Sequence, residues 1–438
     1  MAELDLTGSW AGYSALAVFI AAYAFVVLEE FTHLRKSKPV MLAAGIIWAI
    51  IGLQQVFSGQ QAQLGDAVGE YLVEFAELFL FLLVAMTYVN SMSERLVFEA
   101  LRVRLIGMGF GARKLFWVTG FISFFLSALI DNLTTALVMS GIVIAVGKGN
   151  KRFIAVSCVN IVVAANAGGA FSPFGDITTL MVWQDGQVHF VEFFALFLPS
   201  VVNYLVPAVF MSLAVKNEQL ATDAESIRLR PGAKWIMGLF GLTVALAVSF
   251  HNFLHLPPFM GMVTGLACLQ IFGYFLRRKE NGYAGNHARR MPGEIPPYDS
   301  FREIARAEWD TLLFFFGVIM SVGGLAYIGY LGQVSSILYV ELGPTTANVL
   351  VGIISAVVDN IPVMVAVLNM QPDMDLQQWL LVTLAAGTGG SLLSVGSAAG
   401  VALMGQARGA YSFFTHLKWT PLIALGYALG IWVHLLLG

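Results

Sequence analysis

The chain has 438 residues, of which 58% are hydrophobic and only 12% charged, with a mean hydropathy of +0.77. A typical soluble domain carries about 25% charged residues, so these figures exclude a soluble enzyme on a single anchor and point to an all-α polytopic membrane protein. The net charge of −3 says little by itself, and no nucleic-acid partner is expected; what matters is where the charges lie.

Glu3 and Asp5 are the only charges ahead of the first apolar run. The basic n-region of a cleaved signal peptide is missing, so that run is expected to be retained. At about 20 residues per crossing, continuous apolar segments lie near 13–28, 39–57, 71–90, 191–215, 235–251, 259–276, 309–329 and 419–437. The intervals 115–183 and 345–407 are also apolar, but polar and Gly-rich phrases break them. Cys158 and Cys268 fall inside apolar runs and read as small core residues, not as a disulfide or metal framework. The histidines scatter over ends and loops with no ligand spacing.

All 24 Lys and Arg residues fall at 35–38, 95–114, 148–152, 216–234, 277–306 and 408–418. The loops at 58–70, 184–190, 251–258, 330–344 and 371–376 hold none. By the positive-inside bias, the basic loops are cytoplasmic and both termini lie outside. The split works only if 115–147, flanked by Lys114 and Lys148, is a re-entrant hairpin from the cytoplasm, and 345–370 is one from outside. Broken crossings follow at about 153–183 and 377–407. Leu96, Val97, Leu101 and Leu105, with Arg95, Arg102 and Arg104 between them, suggest an interfacial helix over 93–110. A similar segment at 333–342 holds the corresponding place downstream. Residues 277–306, with Arg289 and Arg290 among Gly and Pro, read as a solvated linker.

Each half therefore reads as crossing, surface helix, hairpin, broken crossing, final crossing, and the opposed hairpins make the repeats inverted. The expected division is 1–70 for N-terminal helices, 71–215 for the first repeat, 216–308 for connecting helices and linker, and 309–438 for the second repeat. Such pseudo-symmetric halves form a transporter site near the midplane.

One phrase occurs in both hairpins: Ser127-Ala-Leu-Ile-Asp131-Asn132-Leu-Thr134 and Ser355-Ala-Val-Val-Asp359-Asn360-Ile-Pro362. A carboxylate in hydrocarbon costs about 2.5–3.5 kcal/mol or more, and neither aspartate has an evident basic partner in the sequence. Function is the better reading for both. For Asn132 and Asn360 the rival to a ligand role is a hairpin-tip cap. Ser127 and Ser355 stand one turn before their aspartates, where back-bonding to the helix competes.

The broken crossings repeat too. The first carries Asn166-Ala-Gly168-Gly169-Ala-Phe-Ser172-Pro173-Phe-Gly175-Asp176-Ile-Thr178-Thr179, the second Gly387-Thr388-Gly389-Gly390-Ser391-Leu-Leu-Ser394-Val-Gly396-Ser397. The Gly-Gly pairs align, as do Gly175 and Gly396. Unwound backbone at this depth is tolerated only where protein or a cavity surrounds it. Its carbonyls, with Ser, Thr and Asn oxygens, are hard ligands suited to a small cation. Asp176 stands at a possible helix start, so a cap is the rival there. Glu74 and Glu77 lie in the crossing at 71–90; Glu77 is the deeper and a proton-path candidate, with a structural hydrogen bond as its rival. Glu308 and Asp310 read as helix-start residues.

These four motifs, in this order, resemble the NhaD-type sodium/proton antiporters of the ion-transporter superfamily. The match is densest over about 115–185 and 350–405. The resemblance implies a bacterial inner-membrane exchanger, multi-pass and dimeric, serving pH homeostasis and salt tolerance. It places ion-binding roles on Asp131, Asn132, Asn166, Asp176, Thr178, Thr179, Ser355, Asp359, Asn360, Ser394 and Ser397, and makes Glu77 the family's membrane acid. Dicarboxylate carriers in the wider superfamily have Ser-Asn-Thr at the hairpin tips. Here Asp replaces the first Ser in both copies, which argues for a cation.

The expectation is exchange of Na+, and of Li+ as a second hard cation, for H+, with ion and protons competing for Asp131 and Asp359. No resident cofactor is expected. The rival is sodium-coupled symport of an organic anion or an arsenite-type solute. No Lys or Arg falls within a proposed crossing to pair with an anion, which weighs against it. An intramembrane aspartyl protease is a poorer reading, because no Gly-x-Gly-Asp phrase occurs.

Overall fold

The structure, a computed structural model, describes residues 5–59, 64–147, 149–216, 218–219, 227–284 and 297–438. Glu3, Lys148, Arg289 and Arg290, used above, lie outside the described residues. Among those described there is helix and no strand.

In chain order the helices are α1 (Trp10–Val27), α2 (Glu29–Thr32), α3 (Ser37–Ser58), α4 (Leu64–Glu94), α5 (Val97–Gly107), α6 (Ala112–Ser127) and α7 (Asn132–Val146). Next come α8 (Lys151–Gly169), α9 (Ile177–Gln184), α10 (Phe197–Ala214), α11 (Ala233–Leu254), α12 (Pro258–Ala284), α13 (Ser300–Ala305) and α14 (Trp309–Ile328). The last are α15 (Tyr330–Ser335), α16 (Pro344–Ile354), α17 (Asn360–Met370), α18 (Leu376–Gly389), α19 (Ala398–Gln406), α20 (Phe413–Leu417) and α21 (Thr420–Leu437). Every continuous crossing read from the sequence has its helix. Among the described residues nine helices are long and apolar enough to span, the ninth being α8 of the first broken interval. Residues 93–110 hold the end of α4 and the helix α5, and 333–342 covers the end of α15 and a wide turn over Ser336–Glu341.

Polar residues at the boundaries fix where these helices begin. Asn150 accepts from Phe153 N at 2.9 Å to start α8, and Asp375 accepts from Gln378 N at 2.8 Å to start α18. Each satisfies one of the donors a helix start leaves open.

The chain divides into two compact units. The first comprises Met1–Leu72, Arg104–Ala224 and Leu313–Gly438. Its helices α8 and α18 are buried on all sides. In α8, 89% of the spanning window is covered by protein, against 22% in α1. Only such sheltered helices can carry Asn160, Asn166 and Thr388 away from lipid. Around them pack α6 and α7 on α8, α16 on α18, and α10 on α21. At one side Ala15, Ala22, Ala43, Ile47, Ile51, Leu325 and Ile328 join α1, α3 and α14, the alanines permitting close approach.

The second unit comprises Val73–Val103 and Glu225–Leu312. In it α11 and α12 pack together, and Thr243 donates to the Tyr88 hydroxyl, which donates to Gly265 O, both at 2.8 Å. Beyond the apolar stretch, Arg95 lies 2.7 Å from both Glu94 and Glu280 and stacks over Tyr298. Removing one member of so covered a pair strands the other charge. Burial pushes the Tyr298 hydroxyl up to about 12, so it stays a neutral donor or acceptor for Ser91.

Candidate functional site

The two intervals that the sequence marks as broken are each two helices joined at a turn, then two further helices separated by a break, all in the first unit. Between α6 and α7 the chain turns at Ala128–Asp131; between α16 and α17 it turns at Ser355–Asp359. Ser127 Oγ donates to Ala165 O at 2.6 Å, and Ser355 Oγ to Ala386 O at 2.9 Å. Both serines thus tie their tip to the end of the following buried helix, and the back-bonding alternative does not hold.

The breaks after α8 and α18 match closely. An added Cβ at Gly169 would meet Gly175 O at 2.7 Å, and one at Gly390 would meet Gly396 O at 2.7 Å. The backbone crosses itself so tightly that only glycine fits. Each break ends on an extended residue that caps the next helix: Asp176 (φ −144°, ψ 147°) for α9 and Ser397 (φ −141°, ψ 148°) for α19.

These constraints converge on the Asp176 carboxylate, which is buried. Asn132 Nδ2, from the first tip, donates to its Oδ2 at 2.8 Å and to Asn166 Oδ1 at 3.1 Å. Asn360 Nδ2, from the second tip, donates to both of its oxygens at 3.1 Å. Thr178 donates to Oδ1 through backbone N and hydroxyl, each at 3.0 Å. Asn166 Nδ2 reaches Ser397 Oγ at 3.0 Å, which brings the second break into the cluster. Thr179 Oγ1 closes the first break by bonding Ser172 O at 2.8 Å and Asp176 O at 2.6 Å. The asparagines are therefore cross-linkers, and the cap positions belong to the aspartates beside them.

Asp131 and Asp359 occupy those cap positions differently. Asp131 accepts from Thr134 N and Thr134 Oγ1, both at 2.8 Å. Asp359 makes no cap bond; its Oδ2 lies 2.7 Å from Lys36 Nζ. The expectation that neither aspartate has a basic partner is thereby corrected. Lys36 stands just before α3, more than 300 residues away in sequence, and no spacing rule ties it to a hairpin tip. Thr134 was also missed, although Asp-x-x-Thr at a helix start carries the cap signal in its spacing.

Ser394 is buried, and its hydroxyl points to Met404 Sδ at 3.3 Å rather than into the cluster. Glu77 lies in α4, in the second unit, and is half-buried.

Residues 14–387 match the family model described as citrate transporter. The chain is 57% identical to the Na+/H+ antiporter NhaD of Vibrio cholerae, over 99% of this chain and 93% of that protein. To the Na+/H+ antiporter NhaD of Halomonas elongata it is 54% identical over 99% of this chain and 90% of that one. The chain belongs to the NhaD family of sodium/proton antiporters. A more distant relative, sodium/proton antiporter 1 of Arabidopsis thaliana, is 32% identical over 95% of this chain and 71% of its own length. Family membership covers the whole helical array, since these alignments run through both broken intervals and every crossing between them.

Proposed function

We propose that this protein exchanges sodium for protons across a bacterial inner membrane, with the cluster around Asp176 as the ion site. The observation that carries the reading is the double grip on Asp176: one asparagine from each hairpin tip holds the same buried carboxylate. Family membership agrees with it.

Asp176, Asp131 and Asp359 supply negative charge; Asn132, Asn166, Asn360, Thr178, Thr179, Ser355 and Ser397 supply neutral oxygens, while the Ser394 hydroxyl stays turned to Met404. Sodium and lithium are hard cations that such oxygens suit. A cation binds here only while a carboxylate is ionised, and protonation removes the charge that holds it. Antiport then follows from competition at one cluster, with no separate switch. Three carboxylates can hold more protons than one sodium ion replaces, so more than one proton can exchange per sodium. Glu77 is assigned to the proton path.

The pairing of α6–α7 with α16–α17, and of α8–α9 with α18–α19, supports inverted repeats whose tips are re-entrant hairpins. The charge bias supports both termini on the periplasmic side. A homodimer in the bilayer completes the reading. Sodium-coupled symport of an organic anion is not favoured, because carboxylates at the centre repel an anionic substrate.

The test is exchange in sealed liposomes loaded at acid pH and diluted into alkaline buffer. Sodium or lithium added outside should raise internal pH in wild type and fail to do so in Asp176→Asn and Asp131→Asn. No cation response from correctly inserted protein, with sodium uptake stimulated by citrate or arsenite instead, would replace this reading with the symporter.

A further inference from the structure

The two hairpin tips differ at the third residue of their second helices, and the difference frees Asp359. In the first tip Thr134 gives Asp131 two hydrogen bonds, from N–H and hydroxyl. In the second, Pro362 holds the equivalent place and can give neither. The Asp359 carboxylate is turned instead to Lys36 Nζ at 2.7 Å. The ammonium also lies 4.3 Å from the centre of the Phe314 ring, a cation–π position that helps fix it. The side chains of Lys36 and Asp359 are only 21% and 13% exposed, so water screens the pair weakly.

The other carboxylate oxygen is left open. Asp359 Oδ1 is buried and has no hydrogen-bond partner among the described residues. So is the hydroxyl of Tyr23, which lies within electrostatic reach of the same carboxylate. A buried oxygen without a partner is costly, and here two occur around one ionised group. Through Asn360, the neighbouring residue, this carboxylate adjoins the Asp176 cluster.

We propose that Lys36 is an internal competitor of the transported cation at Asp359. Its ammonium holds the carboxylate until an entering sodium ion takes over Oδ1 and loosens the grip on Oδ2. Lys36 then sets the sodium concentration at half-saturation without belonging to the ligand set. An ammonium and a sodium ion offer the same charge to the same group, and the pair that one breaks is the pair that the other must form. The inference rests on the reading of Asp359 as an ion-site carboxylate under the proposed function.

The experiment measures exchange in liposomes against external sodium, at one fixed alkaline pH, for wild type, Lys36→Gln, Asp359→Asn and the double variant. Lys36→Gln should lower half-saturating sodium by about fivefold, the scale of a partly covered ion pair. In the Asp359→Asn background the same substitution should shift nothing further. An unchanged or raised half-saturation in Lys36→Gln, with Asp359→Asn still impaired, overturns the competitor role and leaves Asp359 as an ion-site residue. Wild-type half-saturation in Asp359→Asn instead removes that reading, and the competitor with it. A purely structural Lys36 changes the yield of folded protein and leaves half-saturation where it was. Should Lys36→Gln not fold, Lys36→Arg carries the test. Its guanidinium grips a carboxylate at two points and should raise half-saturating sodium; an unchanged value overturns the proposal.

Discussion

The two tip-and-break segments share a scaffold and divide the charges unequally. Both tie the tip serine to a carbonyl of the next buried helix, and both cross their backbone at a Gly-Gly pair. At the residue that caps the helix after the break, however, the first has Asp176 and the second Ser397. At the tips, Asp131 is held by its own helix and Asp359 by a lysine from elsewhere. Packing demands are alike in the two segments, so the residues that meet them match. The central carboxylate has a serine as its counterpart, and there the segments diverge. A second carboxylate in place of Ser397 would set like charges around Asn166, which already bridges the two breaks.

Breaking this asymmetry at its centre should have the largest effect. Asp176→Asn keeps the shape and removes the charge on which Asn132 and Asn360 converge. Three hydrogen bonds from these asparagines lose their charged acceptor, and a bond to a charged group contributes about 1.5–3 kcal/mol. Exchange should fall by about 100-fold or more, measured as sodium-dependent pH change in liposomes with insertion checked separately. Activity within tenfold of wild type would show that the carboxylate is a cap and nothing else.

The next test asks whether the tips contribute equally. Asn132→Ala and Asn360→Ala should each lower exchange by about tenfold, and the double variant should lose less than the product because both act on one acceptor. If Asn360→Ala is silent while Asn132→Ala is not, the site belongs to the first segment alone.

A smaller effect is expected from making the tips alike. Thr134→Pro removes both donors to Asp131 and should cost about 1 kcal/mol of stability, the usual worth of a cap, read as a lowered unfolding temperature in detergent. Pro362→Thr offers Asp359 a cap and should recover part of that amount. Equal stability in all three proteins would mean that the threonine bonds at the first tip contribute nothing net.

Much of this was legible in the sequence because lipid makes polar residues conspicuous. The duplicated Asp-Asn and the aligned glycines stand out in apolar runs, and they led to the helices that carry the site. The central place of Asp176 was not legible: Asp131 and Asp359 share a repeated phrase, whereas Asp176 has a serine as its counterpart, so a search for repetition ranks it lower. Lys36 was invisible for a different reason. Its position in a basic group beside a crossing reads as a topology signal, and only the folded chain brings it to Asp359. Repeats report shared scaffold well, and they report poorly the residues by which the copies differ.

The smallest expected effect is that of Ser394→Ala, at one of two serines that the family resemblance treats alike. Ser397 Oγ accepts from Asn166 Nδ2 at 3.0 Å and so stands in the hydrogen-bonded cluster. Ser394 Oγ, three residues earlier, is turned to the thioether of Met404, a weak acceptor. Ser397→Ala leaves one amide donor of Asn166 unpaired at a cost of about 1–3 kcal/mol and should lower exchange by about fivefold or more. Ser394→Ala deletes a weak contact and should change exchange by less than about twofold, since a thioether gives the hydroxyl little to lose. Parallel initial rates for the two variants at saturating sodium decide the point. A loss in Ser394→Ala as large as that in Ser397→Ala would mean that this hydroxyl leaves Met404 and turns to the ion during the cycle. The break after α18 would then supply a ligand in motion that the break after α8 supplies at rest.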